Sequence, residues 1–146
     1  MKQLIAIALA FGSAANAAPP VEYFPAPAIE GRAAPFSSAV RVGDTLYLSG
    51  QIGISPDGKL PDGIEAQTKQ AMDNIGGVLK RAGLGYDRLV HCTAFLADMK
   101  DWPAFNTVYV GYFPDGSLPA RSAVGVNGLA LGAKLEIECQ AYAGQK

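Results

Sequence analysis

The chain has 146 residues, 49% of them hydrophobic and 17% charged, which is enough for one domain with its own core and too short for two. Twelve Lys and Arg against 13 Asp and Glu give a formal net charge of -1, without the basic excess that marks nucleic-acid binders. Two cysteines and one histidine exclude a four-ligand zinc site made of those residue types alone, and the composition excludes disulfide-scaffold, collagen-like and disordered classes.

Residues 1–17 read as a secretory signal peptide. Lys2 supplies the positive end, Leu4–Phe11 the apolar run, and Ala15-Asn16-Ala17 a small-x-small cleavage site. The run is too short for a permanent span, so the expectation is an exported protein, periplasmic or secreted, with no membrane association after cleavage. Removal of Lys2 leaves 11 basic against 13 acidic residues. Residues 18–35 hold Pro19, Pro20, Pro25, Pro27 and Pro35 and read as an extended arm, neither helix nor central strand.

The folded domain is expected over residues 36–146. Ser38–Val42 and Thr45–Ser49 read as strands around a Gly43-Asp44 turn, and Ser55–Gly63 as a loop. Ile64–Leu84 has apolar residues at steps of three and four, which predicts an amphipathic helix ended by Gly83 and Gly85. Small residues Gly76 and Gly77 within it suggest close packing on a sheet. Leu89–Leu96 reads as a strand. Asp98 or Asp101 caps a second helix over Trp102–Tyr112, with Pro103 in its first turn. Arg121–Val126 is a further strand. Lys134–Tyr142 alternates with period two, which places Leu135, Ile137, Cys139 and Ala141 on one face and Glu136, Glu138 and Gln140 on the other. The order ββαβαββ predicts an α+β domain: one sheet, both helices on one face, and an open face for other copies to cover. In an exported protein Cys92 and Cys139 could pair, although burial as small core residues is the commoner fate of a strand cysteine.

Residue pattern alone leaves the chemistry open. Arg121 at a strand mouth suits a carboxylate grip, but an arginine snorkelling at a sheet end accounts for it equally well. Glu136 and Glu138 could do acid–base work, yet two charges at i and i+2 usually form a solvated face. His91 and Cys92 are adjacent in a strand and point to opposite faces, so they are not a catalytic dyad. Ser49-Gly50-Gln51 followed by Gly53 lacks the spacing of a phosphate loop. Trp102, Phe105, Tyr109 and Tyr112 at helical spacing read as core, with Asn106 a polar group beside that stripe.

In order, the runs SGQIG (49–53), EAQTKQAMDNIGGVLKRAG (65–83), DWPAFNTVYVGYF (101–113), LPARSAV (118–124) and KLEIECQAY (134–142) resemble the RidA/YjgF family of small imine deaminases. The resemblance implies a chorismate-mutase-like α+β fold, a mixed sheet with two helices on one face, assembled as a homotrimeric barrel with sites between subunits. It implies that Arg121 holds the substrate carboxylate and that Glu136 activates water. Phe36, Ser49, Gly50, Asn106 and Ala123 would line the same cleft. The partner would be a small imino acid, released as a keto acid, with no cofactor, metal or nucleic acid. Phe36 stands where the family commonly has Tyr and Ala123 where it has Cys, which makes the cleft more apolar. A non-catalytic trimer that binds small carboxylates, or a chaperone-like holdase, is the alternative. Family members have also been described as ribonucleases, against which the acidic balance of the mature chain argues.

Overall fold

The computed structural model of the chain describes residues 18–28 and 31–145, so the expected leader at residues 1–17 lies outside the described residues. The elements are β1 (Val21–Pro25), β2 (Ser37–Val42), β3 (Thr45–Ile52), α1 (Ile64–Arg81), β4 (Leu89–Leu96), α2 (Trp102–Val110), β5 (Ala120–Gly125) and β6 (Leu135–Tyr142). Single 3₁₀ turns occupy Tyr86–Arg88, Met99–Asp101 and Ala130–Gly132. Six strands form one mixed sheet in the order β1-β2-β3-β6-β4-β5. Only the β4–β5 pair is parallel, as expected for strands joined by a helical crossover. The proline-rich arm contributes β1 at the sheet edge, where Pro25 closes the strand, a position in which proline costs no ladder bond.

Period-two alternation in β6 decides the faces of the sheet. Leu135, Ile137, Cys139 and Ala141 are buried, and Glu138, Gln140 and Tyr142 are exposed. The buried set joins Leu46 and Leu48 of β3 and Ala94 and Leu96 of β4 beneath Met72, Ile75 and Leu79 of α1 and Phe105 and Tyr109 of α2. Each Leu, Ile, Met or Phe of this set removed from water contributes roughly 1.5–3 kcal/mol. Both helices therefore cover one face. The other face carries Tyr47, His91 and Gln140 in register, and no element among the described residues covers it.

α1 begins at Ile64 as expected and ends three residues earlier than its pattern suggests. Gly83 adopts φ 72°; its N–H bonds to the Lys80 carbonyl at 3.1 Å and the Leu84 N–H to Leu79 at 2.9 Å, the paired bonds of a Schellman stop. Gly76 serves a purpose other than the expected approach to the sheet. A Cβ there would overlap the Tyr86 phenol, which donates to the Met72 carbonyl at 2.8 Å. Gly77 has open space in front of it. Asp98, rather than Asp101, supplies the side-chain cap before α2, accepting from the Lys100 N–H at 2.9 Å. In the turn before β6, Leu131 is 72% exposed and is the one described residue other than glycine with positive φ, at 58°.

Cys92 and Cys139 face each other across the β4–β6 ladder and form a disulfide. The expectation of two small unpaired core residues is corrected: both are buried, and they are also bonded. Opposite positions in an antiparallel ladder bring side chains close enough to pair, and the sequence alone did not show that the two strands were neighbours in that register.

Candidate functional site

Ser49 and Gly50 lie at a β-bulge. β3 pairs Leu48 with Cys139 and resumes at Gln51 with Ile137, so one extra residue is inserted on β3 and the strand bends. Ser49 Oγ donates to the Ser37 carbonyl at 2.6 Å, which ties the bulge to the start of β2 immediately after Phe36. A Cβ on Gly50 would overlap the Glu136 carboxylate. Gly50 is thus the floor on which that carboxylate rests. Gly53 serves a different contact, since a Cβ there would overlap the Gln67 backbone of α1. Asn74 fixes the end of β3 by donating to the Ile52 and Ile54 carbonyls at 3.1 and 2.9 Å. Phe36 is 53% exposed at the edge of this region.

Arg121 belongs to a second cluster. Its register partner on β4 is Cys92, and that of Ala123 is Ala94, both on the helix-covered face. Its guanidinium lies over the Phe105 ring at 5.0 Å and the Tyr109 ring at 4.5 Å. Nη2 donates to Asn106 Oδ1 at 2.6 Å. Residues 105, 106 and 109 all come from α2, where one helical turn presents them together. Tyr109 is 2% exposed, and burial pushes its phenol up to about 12, against the pull of the neighbouring Arg121 charge. Its hydroxyl has no partner among the described residues.

The residues expected from the sequence therefore form two groups. Ser49, Gly50 and Glu136 cluster around the bulge, with Phe36 beside them. Arg121, Asn106 and Ala123 cluster under α2. By strand alternation Glu136 is on the open face and Arg121 on the helix face, so one chain does not aim them at a common point. The reading of Trp102, Phe105, Tyr109 and Tyr112 as core holds in part. Phe105 and Tyr109 are buried, whereas Trp102 is 43% exposed and the Tyr112 phenol donates to Asp73 at 2.7 Å. What the sequence reading missed is that the two buried rings also cradle Arg121. The available signal was their i, i+4 spacing on either side of Asn106.

Cavities elsewhere do not join these groups. One of about 430 Å³ lies by Arg41, Gly83, Asp87, Arg88 and Gly144. Its arginines donate to main-chain carbonyls, Arg41 to Gly43 and Ala143 at 3.0 and 2.8 Å, Arg88 to Tyr142 at 2.9 Å and to Gly144. Another, about 150 Å³, lies on the open face by Tyr47, His91, Glu138 and Gln140. Among the described residues no group of three or more His, Cys, Asp or Glu is placed to hold a metal ion, and no helix is long and apolar enough to cross a membrane.

Residues 27–143 match the family described as Endoribonuclease L-PSP. The mouse protein named 2-iminobutanoate/2-iminopropanoate deaminase is 46% identical over 112 residues, covering 75% of this chain and 82% of that protein. A RutC family protein of Aquifex aeolicus is 43% identical over 106 residues, covering 71% and 85%. Among solved structures, YyfA of the Rid protein family from Yersinia pestis superposes with a TM-score of 0.77 at 37% identity, covering 84% of this chain and 99% of that one. The YjgF gene product of E. coli gives a TM-score of 0.72 at 35% identity, covering 80% and 92%. With the ordered motifs, the mixed sheet under two helices and these matches all in agreement, the chain belongs to the RidA/YjgF family.

Proposed function

We propose that this protein hydrolyses 2-imino acids, or their enamine tautomers, to 2-keto acids and ammonia. The general reaction is supported by the names of the mouse and human relatives, 46% and 41% identical, as deaminases of 2-iminobutanoate and 2-iminopropanoate. The observation that carries the finer assignment is the state of Arg121. Its guanidinium is half-buried and stacked on two rings, one edge is held by Asn106, and it forms no salt bridge among the described residues. A partly desolvated arginine of this kind is suited to a planar carboxylate from outside the chain.

In the reaction, Arg121 grips the carboxylate beside the imine carbon. Water attacks that carbon and gives up a proton to Glu136, held over Gly50. A proton then passes to the nitrogen, the C–N bond breaks, and ammonia leaves a carbonyl behind. Each group holds or moves one thing, which suits acid–base catalysis of an addition that already proceeds in water. Because Arg121 and Glu136 occupy opposite faces of their own sheet, the reading places them together across an interface, Arg121 from one copy and Glu136 from the next, in a homotrimer. The open sheet face then becomes the buried interior. Phe36 and Ala123 give this cleft an apolar wall. Export to an oxidising compartment is part of the proposal, supported by the Cys92–Cys139 disulfide, a bond rare in reducing ones.

The test is release of ammonia and keto acid from freshly generated imines, with Arg121→Ala and Glu136→Gln alongside. Turnover by the wild type, lost in both variants, is the expected result. Full turnover by Arg121→Ala would sink the carboxylate grip. Absence of turnover on every imine would favour a trimer that binds small carboxylates without transforming them.

A further inference from the structure

We infer that Phe105 and Tyr109 are positioning residues that form an aromatic cage for the guanidinium of Arg121, leaving one edge of that group free for the substrate carboxylate. The inference deepens the deaminase reading and depends on it for its kinetic arm. Arg121 lies 5.0 Å from the Phe105 ring centroid and 4.5 Å from that of Tyr109, both within the range in which a ring face attracts a cation. The rings sit 5.4 Å apart on one face of α2, and Phe113 supports Tyr109 at 5.1 Å, so the cage is built into the core and does not close only when ligand arrives. Asn106 Oδ1 accepts a hydrogen bond from Nη2 at 2.6 Å, which sets the rotation of the plane. A guanidinium has five N–H donors. With both rings against one side of it and one donor spent on Asn106, the remaining donors are presented together. A flexible side chain is thereby pre-organised, and less rotamer freedom is lost when the carboxylate binds.

The Tyr109 hydroxyl bonds to nothing among the described residues. The cage uses the face of the ring and not the oxygen. This separates the cage from an alternative in which the phenol is the functional group. Tyr109→Phe keeps the ring and is expected to keep kcat and KM within about twofold. Tyr109→Leu keeps apolar bulk and loses the face; KM is expected to rise about tenfold with kcat little changed.

Because a leucine in that core could also loosen the fold, the decisive measurement uses Arg121→Ala. That variant is expected to lose about 100-fold in kcat/KM. Removal of the side chain leaves the rings and the Asn106 carbonyl, a socket for a free planar cation. Millimolar methylguanidinium should restore about tenfold of the loss, whereas ethylammonium, which is not planar, should not. Rescue should persist in Arg121→Ala/Tyr109→Phe and vanish in Arg121→Ala/Tyr109→Leu. Lack of rescue in a folded variant, or equal rescue by ethylammonium, would overturn the cage. An equal loss in Tyr109→Phe and Tyr109→Leu would transfer the role to the hydroxyl and overturn it too. If the wild type turns over no imine, the deaminase reading fails separately. The cage is then read by thermal melting, where methylguanidinium should raise the Tm of Arg121→Ala and not that of Arg121→Ala/Tyr109→Leu, and no rise in Arg121→Ala would overturn it.

Discussion

Glu136 and Gly50 form a pair in which the absent side chain matters as much as the present one. The carboxylate fills the space a Cβ would occupy on Gly50. Gly50→Ala is therefore expected to leave the fold intact and to swing Glu136 aside, lowering turnover about 10- to 100-fold because a displaced base loses its line to the attacking water. A kinetic assay beside a circular-dichroism melt separates the two effects. Leu131 poses the opposite case. At φ 58° it holds a left-handed conformation that costs an L-residue about 1–2 kcal/mol, and its side chain is exposed. Leu131→Gly should raise stability by roughly 1 kcal/mol in a urea titration. At this scale the sequence was legible as to residue type and illegible as to surroundings. Arg121, Asn106 and Glu136 could be named from the ordered family motifs. That Phe105 and Tyr109 pack against Arg121 could not, because a buried aromatic looks the same in sequence whether it packs on leucine or on a guanidinium.

The elements were readable wherever periodicity was strong. α1 and β6 carry clear three-four and two-residue repeats, and both lie within a few residues of the expected bounds. β3 runs past Ser49 to Ile52 because a bulge lets a strand continue through a residue that breaks its alternation. Gly76 suggests an approach to the sheet, whereas it admits Tyr86, a contact between α1 and a turn that no local pattern encodes. Strand pairing was the larger gap. The placement of β4 directly beside β6, with Cys92 opposite Cys139, is a long-range fact, and it decides whether two cysteines bond. The disulfide closes a loop with a sequence separation of 47. Replacing both cysteines by alanine should lower the unfolding free energy by about 2–4 kcal/mol at fixed protein concentration. A urea midpoint unchanged from wild type would show that the bond adds nothing to the ladder.

For the whole molecule, the division of Arg121 and Glu136 between two faces yields a test that needs no structure of the assembly. If each site takes Arg121 from one copy and Glu136 from the next, the two inactive variants are complementary. Unfolding Arg121→Ala and Glu136→Gln together and refolding the mixture should recover about a quarter of wild-type activity through mixed assemblies. Sites contained in single chains would recover none. Alkaline stability is a second property of the whole. Burial holds Tyr86 and Tyr109 up to about 12, with the Asp73 charge adding to the shift at Tyr86, against about 10 for an unfolded tyrosine. The native state keeps these phenols neutral where the unfolded chain ionises, so their contribution is complete below pH 10 and is lost between about 10 and 12. A denaturation series across that range, read beside the tyrosinate absorbance, should show stability falling before the last phenols ionise.

The sheet order has a consequence in time as well as in space. β6 follows the other strands in the chain yet sits at the middle of the sheet, between β3 and β4. Both halves of this sheet are synthesised before the strand that joins them. Until β6 emerges, β3 and β4 have no shared neighbour, Cys92 has no thiol to meet, and the helices have no finished surface to cover. A strand order of this kind makes completion of the sheet a late, long-range step, since the contacts that join its halves are far apart in sequence.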